Sequence, residues 1–386
     1  MMSRRYRRRT VGRSTMAIGA TAAVLVAGGA AFALSSAVGG GESVGEAPDL
    51  GAGTGPGTGP GTTPGTTPEQ PPGSDGAGGG AGNGTGQAAT AGFAPYIDTS
   101  LHVPYDMVGT ARKTGVKEFT LGFISPDGGC TPKWGGRTAL DGDKVAGQTR
   151  ALRAQGGDIR ISFGGQSGNE LALACSSVDE LAAAYGEVVD RFQLTKVDFD
   201  IEAKALRDAA ASTRRAQAVA ALQKRKPGLD VSFTLPVMPT GLTRDGAELV
   251  ADARENGVKV SAVNIMAMDY GTFYDGDMGQ YAIEAATATQ KQLKRALALS
   301  DEAAWKTVAV TPMIGVNDVK NEIFTVDDAT QLVRFARTKG LGRLSMWSAT
   351  RDKQCAGGAQ KSASAICSSV EQGALAFTKA LGGYRG

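Results

Sequence analysis

The chain has 386 residues and a formal net charge of +3, with one histidine and four cysteines. Six arginines lie within the first thirteen residues, so the remainder carries a net charge of about −3 and has no basic surface for nucleic acid. A Ser-His-Asp triad or a histidine-based zinc site would depend on His102 alone, so we expect neither, and we predict no metal site.

The first 38 residues have the pattern of an export signal. Residues 1–15 are basic, and the 23 residues from Met16 to Val38 carry no charge. Small residues at Ala31 and Ala33 fit a cleavage site. Since the apolar run is also long enough to span a membrane, a signal anchor is the alternative. In both cases we expect the rest of the chain outside the cytoplasm, either secreted or anchored only at this end.

Residues 39–92 consist mostly of Gly, Pro and Thr, which cannot bury a core, so we predict a disordered linker. From Phe93 the composition changes, and short β-branched runs alternate with helical stretches. Eight such βα units in about 290 residues predict a (β/α)8 TIM barrel over residues 93–386, with an open doubly wound sheet as the alternative. The predicted strands are Tyr96–Asp98, Glu118–Ser125, Asp158–Gly164, Lys196–Glu202, Leu229–Pro236, Val260–Met268, Thr307–Ile314 and Arg343–Trp347. The clearest predicted helices are Val178–Phe192, Leu206–Gln223, Ala282–Leu299 and Asp327–Thr338.

The predicted fourth strand carries three carboxylates in strict alternation, Asp198, Asp200 and Glu202. On a strand they share one face about 7 Å apart, so at least one pKa should be raised. A carboxyl group that keeps its proton near neutral pH can act as a general acid. A solvated edge strand is the alternative, but Glu202 falls at the strand end, where barrel enzymes place their chemistry.

Other predicted strands also end in distinctive residues. The third ends in Ser162-Phe163-Gly164-Gly165, whose glycines allow close approach of the backbone. On the sixth, alternation places Met268 and Tyr270 on one face, and it points Asp269 away unless the strand has already ended.

Two tryptophans are candidates for contact with a sugar ring. Trp347 ends the eighth predicted strand, and Trp134 follows the second. An aromatic face with a polar edge suits packing against a sugar, although either indole could be simple packing.

Taken in order, Ser162-x-Gly164-Gly165, Asp198-x-Asp200-x-Glu202, Met268-x-Tyr270 and Trp347 resemble the motifs of family 18 glycoside hydrolases, the chitinases. The resemblance extends over residues 93–386, with one motif on each expected strand. It implies retaining hydrolysis of β-1,4-linked N-acetylglucosamine without an enzyme nucleophile and without a cofactor.

The resemblance also implies a role for each site residue. Glu202 would protonate the leaving oxygen, Asp200 would hold the substrate acetamido N–H, and Asp198 would share a proton with Asp200. Tyr270 would donate to the acetamido oxygen, and Trp347 would lie under the reacting sugar. The remaining candidate substrate-binding residues are Met268, Asp269, Ser162, Gly164, Gly165 and Trp134.

The sequence departs from the family pattern at two places. Family members often have Asp and Gly ahead of the three carboxylates, where this chain has Thr195 and Lys196. They also often have Asp after the tyrosine, where this chain has Gly271. Because the acid and both aspartates are intact, these departures bear on the pH optimum more than on activity.

Loop lengths and cysteines give two further predictions. Fewer than thirty residues separate Ile314 from Arg343, enough for one helix but not for an inserted α+β domain, so we expect an open cleft and endo-acting cleavage. We expect the cysteines to pair as Cys130–Cys175 and Cys355–Cys367, as suits an exported protein, with free thiols as the alternative.

Three functions remain open at this point. The first is an exported, monomeric chitinase. The second is a chitin- or glycan-binding barrel that no longer cleaves, against which the presence of Glu202 argues. The third is a hydrolase of peptidoglycan or of the chitobiose core of N-glycans, because an acetamido-dependent mechanism suits these substrates equally.

Overall fold

The computed structural model describes residues 92–386. The predicted signal segment 1–38, and the predicted linker apart from residue 92, lie outside the described residues. Eight parallel strands follow one another in the same order in sequence and in space. In chain order, the first to the eighth are Tyr96–Asp98, Glu118–Pro126, Asp158–Gly164, Lys196–Asp200, Asp230–Met238, Ala262–Ala267, Val308–Pro312 and Arg343–Leu344.

The eighth strand returns to the start of the domain and closes the sheet. Ala94 N donates to Leu344 O at 3.0 Å, and Tyr96 N donates to Met346 O at 3.1 Å. Phe93 and Leu344 form a parallel bridge. An open doubly wound sheet would leave two unpaired edges, so the predicted (β/α)8 barrel is confirmed.

The apolar face of the fourth strand packs against the outer helices. The Phe199 ring lies 5.3 Å from that of Phe163 on the third strand and 5.0 Å from that of Tyr185. Tyr185 belongs to the helix Val178–Arg191. Because successive side chains alternate between faces, Asp198 and Asp200 point into the barrel interior.

The helices lie close to their predicted positions, with one exception. The predicted helix Leu206–Gln223 is divided, because the Asp208 side chain accepts the N–H of Ala211 and so begins a second helix. The helices of the described residues are Met107–Thr114, Thr149–Arg153, Leu171–Ala174, Val178–Arg191, Ala203–Arg207, Ala209–Arg225, Arg244–Glu255, Met278–Ala296, Asp301–Thr307, Val326–Lys339 and Ala376–Leu381. Within residues 92–386, none of them is long and apolar enough to cross a membrane.

Between the seventh and eighth strands the chain forms a small hairpin and one helix. Gly315–Val316 pairs antiparallel with Ile323–Phe324, and the helix Val326–Lys339 follows. The predicted absence of an inserted α+β domain at this position is confirmed. Two further short strands, Pro132–Trp134 and Gly241–Leu242, extend the loops after the second and fifth barrel strands.

Two disulfides close loops that follow barrel strands. Cys130 bonds to Cys175, joining the loops after the second and third strands. Cys355 bonds to Cys367 in the segment after the eighth strand. Both predicted pairings are confirmed.

Candidate active site

Asp198 is fully buried and is surrounded by hydroxyl donors. Its carboxylate accepts hydrogen bonds from Tyr96 Oη at 2.8 Å, Ser162 Oγ at 2.7 Å and Ser232 Oγ at 2.5 Å. Thr234 Oγ1 lies 2.9 and 3.0 Å from its two oxygens. These donors come from the first, third and fifth strands, so the site is assembled only when the barrel forms.

A polar network continues across the barrel interior from these donors. Asn264 Nδ2 donates to Thr234 Oγ1 at 2.9 Å, and Thr311 Oγ1 donates to Asn264 Oδ1 at 2.8 Å. Sequence reasoning missed both residues. Single polar residues within the β-branched runs of the sixth and seventh strands were the available indication.

Two buried arginines lie towards the amino-terminal end of the same interior. Arg160 Nη1 donates to Asp230 Oδ1 at 3.0 Å and approaches Ser232 Oγ at 3.3 Å. Arg343 Nη2 lies 3.4 Å from the same hydroxyl. Ser232 therefore links two guanidinium groups to Asp198, whose negative charge they face.

Asp200 and Glu202 continue the row towards the mouth of the barrel. Asp200 is 5% exposed, and its Oδ1 atom has no hydrogen-bond partner among residues 92–386. Burial raises the pKa of Asp200 well above its ordinary value, and the charges of Glu202 and Asp198 raise it further. Burial, followed by the charge of Asp269, raises the pKa of Glu202 to about 7. The outer end of the row can therefore hold a proton near neutral pH.

The carboxylate row extends past the last ladder residue of the strand. The strand ends at Asp200 rather than at the predicted Glu202. Ile201 N still donates to Thr234 O at 3.0 Å, and Glu202 keeps an extended backbone with φ −132° and ψ 171°. The alternation therefore continues to Glu202, which precedes the helix Ala203–Arg207 at the rim.

Two glycines of the third strand end allow the backbone to approach Asp200 closely. A Cβ atom on Gly164 would lie 2.1 Å from the Asp200 carbonyl oxygen, and its φ is +104°. Gly165 N donates to that same oxygen at 2.9 Å. A Cβ atom on Gly165 would lie 2.8 Å from the ring of Phe123. These glycines fix the position of the Asp200 backbone.

A buried ion pair supports the loop that carries these glycines. Arg215 Nη2 and Nε donate to Glu170 Oε2 at 2.8 and 3.0 Å, and Tyr185 Oη donates to the other carboxylate oxygen. Glu170 is fully buried, and Arg215 is 1% exposed. Sequence reasoning missed this ion pair. The one indication of a buried charge was Arg215 itself, which lies among alanines on the helix Ala209–Arg225.

Trp347 is half-buried beside the carboxylate row. Its ring centroid lies 5.6 Å from that of Phe123, with the planes 23° apart, and 6.0 Å from that of Tyr96. Because Tyr96 bonds to Asp198, the indole flanks the row at the mouth of the barrel. Sequence reasoning identified Trp347 but missed Tyr96 and Phe123.

The end of the sixth strand differs from its predicted geometry. The strand ends at Ala267, and Asp269 has φ +52°, which breaks the alternation. Asp269 is exposed, its Oδ1 accepts Val319 N–H at 2.9 Å, and its charge raises the pKa of Glu202. The charge of Asp269 therefore acts on the acid although the residue lies beyond the end of the sixth strand. Met268 is 8% exposed.

Tyr270 packs among other tyrosine rings after the end of the sixth strand. Its ring lies 5.6 Å from that of Tyr274 and 6.2 Å from that of Tyr281, on the helix Met278–Ala296. Its hydroxyl has no hydrogen-bond partner among the described residues. Burial raises the pKa of Tyr270 well above its ordinary value, and the charges of Glu322 and Glu284 add to this. The predicted donation from the Tyr270 hydroxyl to the substrate acetamido oxygen stays a prediction.

Trp134 also lies away from the expected surface. It is 2% exposed, its Nε1 donates to Leu140 O at 3.1 Å, and its ring packs 5.8 Å from that of Phe192. With both faces covered, the indole cannot contact a sugar as expected.

Two known proteins are similar to this chain in sequence. A probable bifunctional chitinase/lysozyme of Escherichia coli K12 is 36% identical over 275 residues, which is 67% of this chain and 31% of that protein. Endochitinase 11 of Metarhizium anisopliae is 35% identical over 276 residues, 67% of this chain and 52% of that protein. The match thus spans less than two thirds of either relative. No family model matches the chain.

A solved structure matches over most of its own length. The catalytic domain of a hyperthermophilic chitinase from Pyrococcus furiosus aligns with a TM-score of 0.69 at 37% identity, covering 76% of this chain and 96% of that one. The chain belongs to the family 18 glycoside hydrolases, the chitinases. Catalytic-site mutants of the same Pyrococcus domain, at 36% identity and TM-score 0.69, were crystallised with chito-oligosaccharides, with coverage of 76% of this chain and 94% of that one.

Proposed function

We propose that the chain hydrolyses β-1,4 bonds between N-acetylglucosamine units by substrate-assisted retaining catalysis. The Asp198-Asp200-Glu202 row carries the proposal, because burial raises the pKa of both outer carboxyl groups, that of Glu202 to about 7. The row lies at the carboxyl ends of the strands, where barrel enzymes act, and the relatives are chitinases.

Glu202 serves as the general acid in this mechanism. Its raised pKa keeps the carboxyl protonated up to about pH 7, so it can donate a proton to the leaving glycosidic oxygen. The substrate acetamido oxygen then attacks the anomeric carbon and forms a cyclic oxazolinium ion. Water opens this ion while the Glu202 carboxylate accepts its proton, which restores the acid and retains the anomeric configuration.

Asp200 positions the internal nucleophile. Its Oδ1 atom is free to accept the acetamido N–H, which orients the carbonyl oxygen towards the anomeric carbon. Holding a nucleophile in line with the reacting carbon lowers the activation barrier by several kcal/mol in well-oriented intramolecular reactions. Asp198, held by its hydroxyl donors, shares the Asp200 proton and balances the charge that develops on the substrate.

We further propose an open cleft and endo-acting cleavage. The segment between the seventh and eighth strands contributes only the Gly315–Phe324 hairpin and one helix to the rim of the barrel. Such a rim admits the middle of a polymer chain. Release of disaccharide alone from one end of a long oligomer would contradict this part of the proposal.

Export is the remaining part of the proposal. It rests on the basic and apolar pattern of residues 1–38 and suits the two disulfides, since disulfides persist in oxidising compartments. We propose a secreted monomer, with anchoring through the same segment as the alternative. Detection of the chain in the culture medium, and its mass there, would test both points.

Peptidoglycan is a second candidate substrate, because the Escherichia coli relative is a probable bifunctional chitinase/lysozyme. The test is hydrolysis by the full chain of N-acetylglucosamine hexamer, chitin and peptidoglycan, measured side by side. We expect cleavage of the hexamer at internal bonds. Cleavage of peptidoglycan alone would reassign the substrate, and binding of the hexamer without cleavage would favour a glycan-binding barrel.

A further inference from the structure

The hairpin after the seventh strand is bonded directly to the loop that carries Asp269. Val319 N donates to Asp269 Oδ1 at 2.9 Å, and Gly271 N donates to Glu322 Oε1 at 2.8 Å. Each loop thus supplies a carboxylate to a backbone N–H of the other. A third bond, from Asn321 Nδ2 to Thr272 O at 3.1 Å, joins the same two loops.

Glu322 is the buried member of this exchange. It is fully buried, and its Oε2 atom has no hydrogen-bond partner among residues 92–386. Burial raises the pKa of Glu322 to about 7. Burial of a carboxyl group with only one hydrogen-bonded oxygen costs folding free energy, so its presence calls for an explanation. The mechanism above does not use Glu322.

The turn that contains Glu322 is itself fixed to the barrel. Asn317 N donates to Glu322 O at 2.9 Å. The Asn317 side chain, also fully buried, donates to Met313 O at 2.9 Å and to Gly315 O at 3.1 Å. The turn therefore transmits the position of the seventh strand end to the loop that follows the sixth.

We propose that Glu322 is a positioning residue, which holds the Gly271 backbone so that Asp269 stays bonded to Val319 and faces the general acid Glu202. The inference rests on the proposed function, because it assigns Glu202 as the acid. Glu322 does not touch the substrate in this arrangement and acts through Asp269.

The charges around this pair fix the direction of the expected effect. The charge of Asp269 raises the pKa of Glu202 and of Glu322, and the charge of Glu322 raises that of Tyr270. The exposed Asp318 raises the pKa of Asp269, and the buried Arg351 lowers it. The negative charge of Asp269 raises the pKa of Glu202, so a variant that no longer holds Asp269 in its position lowers that pKa. The basic limb of kcat/KM, which reports the acid in the free enzyme, then moves to lower pH.

The test measures the pH dependence of kcat/KM on N-acetylglucosamine hexamer for the full chain and four variants. The variants are Glu322→Ala, Glu322→Gln, Asp269→Asn and the exposed control Glu255→Ala on an outer helix. We expect Glu322→Ala to lose roughly 3- to 10-fold more activity at pH 8 than at pH 5, as a pKa change of 0.5 to 1 unit requires. Glu322→Gln keeps an acceptor for Gly271 N–H, so its pH profile should match that of the parent and of Glu255→Ala.

Coupling between the two carboxylates gives the second criterion. Because Glu322 acts through Asp269, the double variant Glu322→Ala/Asp269→Asn should show no larger shift of the basic limb than Asp269→Asn alone. A Glu322→Ala variant that loses activity equally at all pH values overturns the proposal, because that is the result of structural support alone. If Glu322→Ala does not fold, the same pH profile is measured for Glu322→Asp, whose carboxylate is one methylene further from Gly271 N–H. An equal loss of activity at all pH values would again overturn the proposal.

A readout without turnover separates this inference from the proposed function. If the full chain cleaves no amino-sugar polymer, the proposed function fails. The pKa of the Glu202 carboxyl can then still be titrated by carbon-13 NMR in the parent and in Glu322→Ala. A lower Glu202 pKa in the variant supports the positioning role, and an unchanged one overturns it.

Discussion

The Tyr96 hydroxyl donates to Asp198 Oδ2 at 2.8 Å and joins the first strand of the barrel to the fourth. The same tyrosine ring lies 6.0 Å from that of Trp347. One side chain thus connects the innermost carboxylate to the aromatic wall at the mouth. The position of the acid row depends on barrel closure as much as on the strand that carries it.

Removal of the Tyr96 hydroxyl should reduce turnover while leaving the fold intact. A hydrogen bond to a charged group contributes about 1.5–3 kcal/mol, so Tyr96→Phe should lower kcat by roughly 10- to 100-fold. Tyr105→Phe is the matched control, since the Tyr105 hydroxyl has no hydrogen-bond partner among residues 92–386. It should retain activity within about threefold, because no hydrogen bond is lost. A loss in Tyr105→Phe as large as that in Tyr96→Phe would contradict the prediction.

Gly164 should not tolerate a side chain. In Gly164→Ala the new methyl group meets the Asp200 carbonyl oxygen at 2.1 Å, so Asp200 must move or the barrel must open. We expect a loss of unfolding free energy of more than about 3 kcal/mol, as overpacking and backbone strain combine. Gly156→Ala is the control, because Gly156 has a φ of +72° with open space around it. It should lose only about 1 kcal/mol, the cost of the backbone conformation. Equal losses in urea denaturation would show that the contact with Asp200 is unimportant.

Glu202→Gln should stabilise the folded chain at high pH. The folded-state pKa of Glu202, about 7, lies above that of an ordinary glutamate, so the folded parent binds more protons than the unfolded one between these values. Parent stability therefore falls as the pH rises through this window, and the amide variant escapes that loss. Since one pKa unit corresponds to about 1.4 kcal/mol, the advantage of Glu202→Gln should reach about 1–3 kcal/mol at pH 8 and vanish near pH 4. Urea denaturation at both pH values measures it, and a pH-independent difference would argue against the raised pKa.

The Cys355–Cys367 disulfide should stabilise the segment after the eighth strand. It closes a loop with a sequence separation of 12, for which chain entropy predicts a contribution of about 3 kcal/mol. The double variant Cys355→Ser/Cys367→Ser should therefore unfold at a lower denaturant concentration than the parent. The comparison is repeated under reducing conditions with Cys130 and Cys175 replaced in both proteins, so that only the Cys355–Cys367 bond differs between them. The two unfolding midpoints should then be the same. A parent that is no more stable than the variant would contradict the expectation.

The strands, the barrel and the acid row follow from local sequence patterns. Alternation on a strand is a property of neighbouring residues, so the sequence pattern alone places Asp198, Asp200 and Glu202 on one face. The alternation predicted at the end of the sixth strand is broken at Asp269, whose backbone is left-handed. This conformation is uncommon for a residue other than glycine, so the sequence did not indicate it.

The partners of the acid row could not be found in this way. Tyr96, Ser232 and Thr234 meet Asp198 through barrel closure, and Glu322 meets Gly271 through the docking of two loops. Contacts between residues far apart in sequence leave no periodic pattern. Long-range packing also explains the wrong prediction for Trp134. The sequence places it near the mouth of the barrel, but packing against Phe192 buries the ring.

The most direct test of the account compares Glu202→Gln with the parent in hydrolysis of N-acetylglucosamine hexamer. His102→Ala, which removes the single, exposed histidine, is the control for the mutagenesis and for histidine chemistry. We expect kcat to fall by at least about 10²–10⁴ in Glu202→Gln, the contribution of a general acid, and to remain at the parent value in His102→Ala. Equal activity of the parent and Glu202→Gln would contradict the account.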